Sequence, residues 1–292
     1  MATDGGEPVR LLLLLGVISL LYLIPTQQAV VNSQSALEEI RSGFYIARTV
    51  SIQPEKRDAY VSCLKQRELP VWHKMKGQDL ITYLSVFEET ELFASEPNTP
   101  AWNFLLLAHT PSSDAASKSA KLEGLITNSE VCEEQSNGGV RRIEILTPTV
   151  HSNYPRATIE DDRLAIESKI VYTVEYIAVN DTPADRADYR QRMEQSIGPS
   201  IQVLIPKKLD FSFSGMETLK VLYSQPGMPN WNQIHIDGTY LDIDRTPEDL
   251  DAALREVNPK SGGYPQVFAT LKLIRKKVRN IEARQLFDLA IR

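Results

Sequence analysis

The chain lacks the motifs of the most common enzyme classes. It contains no G-x-S-x-G, H-E-x-x-H, Walker A or G-x-G-x-x-G pattern, which argues against common serine hydrolases, zinc proteases, P-loop enzymes and dinucleotide enzymes. Only two cysteines and four histidines occur among 292 residues, so a four-cysteine zinc site is excluded. A net charge of −6 lacks the basic excess of a nucleic-acid-binding protein, and we expect no nucleic-acid partner.

The longest apolar run lies at the N terminus. Residues 11–24 read LLLLLGVISLLYLI and carry no charge. This length is typical of the apolar core of a signal peptide, because a membrane span needs about 20 residues. We predict that residues 1–35 direct export to the periplasm or the extracellular space and are then cleaved. If they are not cleaved, residues 11–31 anchor the chain in the membrane, its only expected membrane contact.

Two cysteines remain, Cys63 and Cys132. An oxidising compartment permits one disulfide between them. The alternative is that Cys63 is a small residue of the core, on the apolar side of a predicted helix.

The sequence repeats itself at an offset of 129 residues. The pattern P-x-x-R-x-x-Y occurs at 54 and 183, and P-x-x-P-x-W-N occurs at 97 and 226. Within residues 54–103, 13 of 50 positions are identical to their counterparts, where average composition gives about three. A duplicated module is therefore predicted.

Each copy predicts the same order of elements. A strand at 44–52 or 169–180 leads into Pro54 or Pro183, a proline suited to a first helical turn. The helices are expected to end at Pro70 and Pro199, before alternating strands at 80–88 and 209–217 and a third strand after each Trp-Asn pair. Second helices are predicted from Ser113 and from Thr246, the latter within a T-P-E-D capping pattern. Last strands are expected at 141–147 and 265–273, each preceded by two glycines.

The predicted fold class is α+β, with two tandem ferredoxin-like β-α-β-β-α-β repeats that form an intrachain α/β barrel. This arrangement resembles the dimeric α/β-barrel superfamily in tandem, over residues 44–147 and 169–275. That group includes cofactor-free monooxygenases of antibiotic biosynthesis, EthD-like and NIPSNAP-like proteins, and haem-binding chlorite dismutase relatives. The predicted domains are repeat 1 at 36–147, a linker at 148–168, repeat 2 at 169–275 and a C-terminal helix at 276–292.

A ligand site is predicted where the uncovered faces of the two sheets meet. In the third strand of copy two, Ile234 and Ile236 are expected beneath the helices, which turns the alternate residues toward copy one. Copy two then contributes polar groups and copy one apolar groups. The predicted ligand-binding residues are Trp231, Gln233, Asp210, Ser212, Tyr83, Trp102 and Phe104. Alternatively, these polar groups meet solvent or satisfy one another inside a packed core.

His235 is the leading candidate for an acid or base, since an imidazole titrates near neutral pH. Asp237, two residues further along the strand, and Glu175 are the predicted catalytic partners. The other histidines, His73, His109 and His151, lie in no haem motif, and one histidine with two carboxylates is a weak metal signal. We therefore predict no cofactor, neither haem nor metal.

Three functions follow from these patterns. The first is binding of a small, partly apolar molecule between the two sheets. The second is a cofactor-free monooxygenase or isomerase that uses His235 as acid or base. The third is a non-catalytic scaffold that docks a partner. Whether the chain is an enzyme is left open, and no oligomeric state is predicted.

Overall fold

We analysed a computed structural model of the chain, which describes residues 44–99, 101–110, 132, 142–148, 170–210, 218–224, 231–286 and 289. The predicted signal segment, most of the linker and the helix predicted near Ser113 lie outside these described residues. Within the described part, no helix is both long and apolar enough to cross a membrane.

Eight antiparallel strands form a closed barrel in the order β1-β3-β2-β8-β5-β7-β6-β4. We name residues 44–148 the first half and residues 170–285 the second half. The strands are β1 Phe44–Val50, β2 Tyr83–Ser95, β3 Phe104–Thr110, β4 Arg142–Pro148, β5 Ile170–Val179, β6 Thr218–Ser224, β7 Gln233–Tyr240 and β8 Arg275–Gln285.

The helices follow the strands in both halves. They are α1 Arg57–Cys63, α2 Leu69–Gly77, α3 Pro183–Arg192, α4 Gly198–Leu204, α5 Pro247–Val257 and α6 Gly263–Ile274. Short 3₁₀ turns occupy Pro54–Lys56 and Ile205–Lys207, and π-helical segments occupy Leu64–Glu68 and Met193–Ile197.

The two halves have the same strand order. Within the barrel the first half runs β4-β1-β3-β2 and the second half runs β8-β5-β7-β6. They join where β2 pairs with β8 and where β4 pairs with β6. The mixed α+β class with a curled antiparallel sheet is thus confirmed, while the origin of the halves by tandem duplication stays a prediction.

Aromatic rings fill the centre of the barrel. The ring centroids of Trp102 and Trp231 lie 5.2 Å apart, and each lies about 5 Å from that of Tyr176. The indole N–H of Trp102 donates to the Tyr176 hydroxyl at 3.1 Å. Because these side chains pack against one another, the predicted ligand cavity between the two sheets is wrong.

The repeated Trp-Asn pairs have a structural role. The Asn103 side chain accepts from the backbone N–H of Ile52 and donates to its carbonyl, each at 2.7 Å. Asn232 makes the same two bonds with Val179, at 2.9 and 2.8 Å. Each asparagine therefore holds the end of the first strand of its half beside the start of the third, and each preceding tryptophan enters the barrel.

The prediction that the helices end at Pro70 and Pro199 is wrong. Each proline instead stands at the start of a further α-helix, immediately after a π-helical segment. At the segment ends, the N–H of Leu69 bonds to the carbonyl of Leu64, and the N–H of Gly198 bonds to that of Met193. This widened turn suits a proline, which has no N–H for an ordinary helical bond.

The end of the chain also differs from the prediction. The stretch predicted as a last strand at 265–273 is α6, and the predicted C-terminal helix begins as strand β8. Gly262 and Gly263 both have positive φ, and the Asp251 carboxylate accepts from the N–H of Tyr264 as α6 begins. β8 pairs with both β2 and β5, so long-range pairing outweighs its helix-like apolar spacing.

Cys63 and Cys132 form a disulfide, with their Cα atoms 5.6 Å apart. The bridge closes a loop between positions 69 residues apart in the sequence, all within the first half. Of the two alternatives for Cys63, the structure therefore has the disulfide, and both cysteines also pack against the apolar core of this half.

Candidate functional site

A pocket of about 260 Å³ lies between the sheet and the helices of the second half. Strands β5, β7 and β8 form its polar floor. The π-helical segment Met193–Ile197 and helices α4, α5 and α6 form its roof. The apolar roof residues are Met193, Ile197, Ile201, Leu250, Leu254, Tyr264 and Phe268.

His235 lies in this pocket, beneath the helices and outside the barrel. The predicted orientation of β7 is therefore wrong. Ile234 and Ile236 belong to the core cluster of the barrel interior, opposite to the expectation. Alternation could not decide the orientation, because both faces of this sheet are buried.

Glu175 lies opposite His235 in the pairing of β5 with β7. Its Oε2 atom is 3.4 Å from Nδ1 of His235, slightly longer than the range of about 2.6–3.2 Å typical of a catalytic hydrogen bond. The other carboxylate oxygen, Oε1, accepts from the ammonium of Lys277 on β8. A histidine, a carboxylate and a lysine thus form one connected group on the pocket floor.

Glu175 is held in its ionised form. Burial opposes ionisation and is the largest single influence, but the hydrogen bond and charge of His235 and the charge of Lys277 together lower the pKa of Glu175 to about 2. An ionised carboxylate only accepts hydrogen bonds, so Nδ1 of His235 carries the proton that faces it. In the neutral imidazole, Nε2 then carries the lone pair.

A second charged group closes one end of the floor. Arg245 donates from Nη1 to Asp210 and from Nη2 to Asp237, both at 2.6 Å. Asp210 is almost fully buried, whereas Asp237 lines the pocket. The guanidinium therefore neutralises two carboxylates that the apolar surroundings would otherwise disfavour.

Two polar atoms of the floor have no hydrogen-bond partner. They are Nε2 of His235 and Oδ1 of Asp237, and both are shielded from solvent. Leaving such groups unpaired costs about 1–3 kcal/mol each. Both belong to side chains that line the same cavity, so a bound molecule could satisfy them.

The structure separates the other predicted site residues. Trp231 and Trp102 pack inside the barrel. Phe104 lies beneath the helices of the first half, where its ring contacts that of Tyr60. Gln233 is buried on β7, two residues before His235. The side chains of Tyr83 and Ser212 lie outside the described part of the chain.

Three cations of the pocket were not predicted: Arg245, Arg275 and Lys277. Arg245 follows β7 in a loop, Arg275 is the last residue of the predicted repeat 2, and Lys277 belongs to the segment predicted as a C-terminal helix. A period-two pattern at Ile281, Ala283 and Gln285 could have indicated that this segment is a strand. Nothing local to the sequence places its first residues beside Glu175.

At the corresponding place in the first half the space is filled. Trp72, which stands 129 residues before Ile201, lines a cavity of only about 10 Å³ there. An indole in the first half thus takes the volume that the smaller Ile201 leaves open in the second.

No family model matches the sequence, and no curated protein matches it either. Similar solved structures include a dye-decolorizing protein from V. cholerae, with 10% identity and a TM-score of 0.42 over 86% of this chain and 97% of that one. A monooxygenase-like protein from Lactobacillus acidophilus has 8% identity and a TM-score of 0.47, over 86% of this chain and 98% of that one. A heme-binding protein from Thermus thermophilus has 10% identity and a TM-score of 0.37, over 84% of this chain and 92% of that one. These are barrels of the ferredoxin-like kind, and such distant likeness transfers no activity.

These matches correct the prediction of no cofactor. The Thermus thermophilus protein is named as heme-binding, so this fold gives no ground for excluding haem. The donor chemistry of His235 fits an iron ligand, since Nε2 is unpartnered and a carboxylate holds the other ring nitrogen. The volume does not fit a whole tetrapyrrole, because even drug-sized ligands occupy pockets of about 300–1,000 Å³.

A metal ion held by several protein ligands has no obvious place in the part of the chain that the structure describes. No group of three or more histidine, cysteine, aspartate or glutamate side chains converges there.

Proposed function

We propose that this protein binds a small, partly apolar molecule in the pocket beneath the helices of the second half. The observation that carries the proposal is a pair of unpartnered polar atoms, Nε2 of His235 and Oδ1 of Asp237, on side chains that line a cavity of about 260 Å³. An apolar wall with a few convergent polar groups is the usual composition of a small-molecule site.

The charges of the pocket favour a ligand with an acidic or strongly polar end. Of the three cations that line it, Arg245 is paired with Asp210 and Asp237, and Lys277 is paired with Glu175. Among the described residues Arg275 is in no ion pair, although its guanidinium lies 5.9 Å from the ring centroids of Tyr189 and Phe268. The polar end of the ligand would face the strands, and its apolar part would contact the helices.

Anilinonaphthalene sulfonate, which joins aromatic rings to an anionic group, is a suitable probe for this pocket. We expect saturable binding by the wild-type protein, measured by the rise in probe fluorescence. The Ile201→Trp variant should weaken binding by about tenfold or more, equivalent to about 1.4 kcal/mol, because an indole there fills the cavity as Trp72 does in the first half.

The matched control is His73→Trp, which adds the same indole at an exposed position of α2. Circular dichroism should show that both variants are folded. Equal binding by the wild type and by Ile201→Trp would contradict the proposal. Native mass spectrometry of the protein from its own host then identifies the natural ligand by its mass.

Haem binding is tested separately, because the imidazole of His235 suits an iron ligand even though the pocket is too small for a whole tetrapyrrole. Hemin added to the protein would shift its Soret band if an imidazole bound the iron. A shift that is lost in His235→Phe but kept in His73→Phe would make haem the ligand and replace the present proposal.

We also propose that the chain is exported and that its two halves arose by duplication. The Cys63–Cys132 disulfide supports export, because such bonds persist in oxidising compartments. N-terminal sequencing of the protein from the periplasm or medium of its host tests this. Recovery of the protein only from the cytosol would contradict export.

A further inference from the structure

We infer that His235 takes the hydroxyl proton of a bound aromatic weak acid, a phenol or an enol, with Glu175 as the positioning residue. This inference rests on the proposed binding function and adds the ligand class and the proton transfer. It names His235 as the group that touches the ligand.

The first argument is the state of the imidazole. Glu175 accepts from Nδ1, and Nε2 has no hydrogen-bond partner on a side chain that lines the cavity. A neutral imidazole held in this way by a carboxylate is a general base, and the carboxylate stabilises the imidazolium that forms. The Nδ1 to Oε2 distance of 3.4 Å is compatible with this role, because such bonds are often long in the absence of ligand.

The second argument is the charge around the imidazole. The titratable and charged groups that line the pocket with it are Glu175, Asp237, Arg245, Tyr264, Arg275 and Lys277. Arg245 and Lys277 are paired with carboxylates, whereas Arg275 is in no ion pair among the described residues. Counting Asp210, which is bonded to Arg245, the three cations are balanced by three carboxylates. Arg275 is the cation that a ligand oxyanion would face, because it lines the pocket outside these ion pairs.

The third argument is the roof. The ring centroids of Tyr264 and Phe268 lie 4.3 Å apart on α6, and both side chains line the pocket. Aliphatic side chains from the π-helical segment and from α4 and α5 complete the apolar wall. A flat ring therefore has both aromatic and aliphatic surface to pack against, while its hydroxyl faces the strands.

The step itself is simple and balanced. The O–H bond of the ligand breaks, its electron pair stays on the ligand oxygen, and the proton forms an N–H bond with Nε2 of His235. Glu175 remains ionised and accepts from Nδ1 throughout. No oxidant, reductant or further reactant takes part.

Para-nitrophenol tests this inference, because its phenolate absorbs visible light and its phenol form does not. In buffer below the pKa of the free probe, we expect the wild-type protein to raise the phenolate fraction of bound probe by about tenfold. This corresponds to a shift of about one unit in the apparent pKa of the probe. His235→Phe should abolish the rise, and Glu175→Gln should reduce it and alter its pH profile.

Binding is measured separately, by saturation-transfer NMR of the probe and by competition with anilinonaphthalene sulfonate. If nitrophenol binds without added ionisation, the proton transfer is wrong but the binding function stands. If the sulfonate binds and nitrophenol does not, the ligand class is wrong. If neither binds, the proposed function itself fails. A rise that persists in His235→Phe would assign the proton to another group and also overturn the inference.

Discussion

Among the described residues, the cavity lined by Trp72 in the first half measures about 10 Å³, whereas the pocket around His235 in the second half measures about 260 Å³. The scaffolds match in strand order, in the asparagine bonds and in the π-helical segment before each proline. The difference therefore lies in the side chains on the outer face of the sheet and in the helices above it. In the described part of the chain, the cavity beside Trp72 is nearly filled, whereas the pocket around His235 is open.

The buried charges show this contrast most directly. Arg48 pairs across the sheet with Leu106, as Glu175 pairs with His235. The offset of 129 residues would match Glu175 to Ile46. The asparagine bonds instead match Ile52 to Val179, and on this alignment Arg48 is the counterpart of Glu175. One residue separates Ile52 from Pro54, whereas three separate Val179 from Pro183, and this difference shifts the ungapped alignment of the first strands by two.

These two charges are satisfied differently. Arg48 bonds to Glu68, and both side chains are 2–3% exposed, so the pair is closed within the core. Glu175 bonds to Lys277, whose side chain is 44% exposed, and it also faces His235 and the pocket. The Arg48–Glu68 pair is buried and structural, and we call it the sealed pair. The Glu175–Lys277 pair is partly exposed to solvent and borders the pocket.

The largest expected effect comes from breaking the sealed pair. Glu68→Ala should lower the free energy of unfolding by about 3–5 kcal/mol, because the buried guanidinium of Arg48 loses its ion pair with Glu68. Urea unfolding followed by circular dichroism measures the change. The double variant Arg48→Met with Glu68→Leu should recover most of the loss. A cost below about 1 kcal/mol for Glu68→Ala would mean that water reaches Arg48, and the contrast between the halves would weaken.

Acid should act on the second half through Glu175. Its pKa in the folded protein, about 2, lies below the ordinary value of 4.5, so its stabilisation is present above about pH 4.5 and is lost as the pH falls toward 2. We expect the free energy of unfolding to fall by on the order of 3 kcal/mol across that range from this group.

Glu175→Gln isolates this contribution, because the difference between the two proteins should shrink as the pH falls. Thermal unfolding at a series of pH values measures it. A difference that does not change with pH would show that Glu175 is not linked to folding in this way.

The smallest expected effect concerns the helix starts. In the second half, Thr182 accepts from the N–H of Asp185 and caps α3, whereas Gln53 at the corresponding start makes no side-chain cap. Thr182→Ala should therefore cost about 1 kcal/mol, and Gln53→Ala should cost close to nothing. Denaturant midpoints at constant slope measure both. Equal costs would contradict this difference between the halves.

The sequence predicted the order of elements well where the signals were local. The capping pattern at Thr246 does begin a helix, with the Thr246 hydroxyl and the Asp249 carboxylate bonded reciprocally. The strands beginning at Phe44 and Ile170 match the predicted starts within a residue. Each of these rests on contacts between residues close in the chain, which local patterns report.

The candidate site was predicted in part. His235, Glu175 and Asp237 do line one pocket, with Asp210 bonded to Arg245 behind it. The location was wrong, because alternation assigns residues to two faces without telling which face the helices cover. Lys277 and Arg275 were missed since their strand, β8, pairs with β2 and β5 from distant parts of the chain.

By itself the sequence determined the α+β class and the equivalent positions of the two tryptophans. Hydrophobic periodicity, helix-capping residues and the similarity between the two halves can all be identified from the order of residues alone. Only the tertiary structure decided that the barrel interior is packed with rings and that the open space lies beneath the helices of the second half. Both faces of strands such as β1 and β3 are buried, so hydrophobic pattern alone does not distinguish inside from outside. Which face of a strand points into the barrel is decided only when the barrel closes and the helices pack against its outer face.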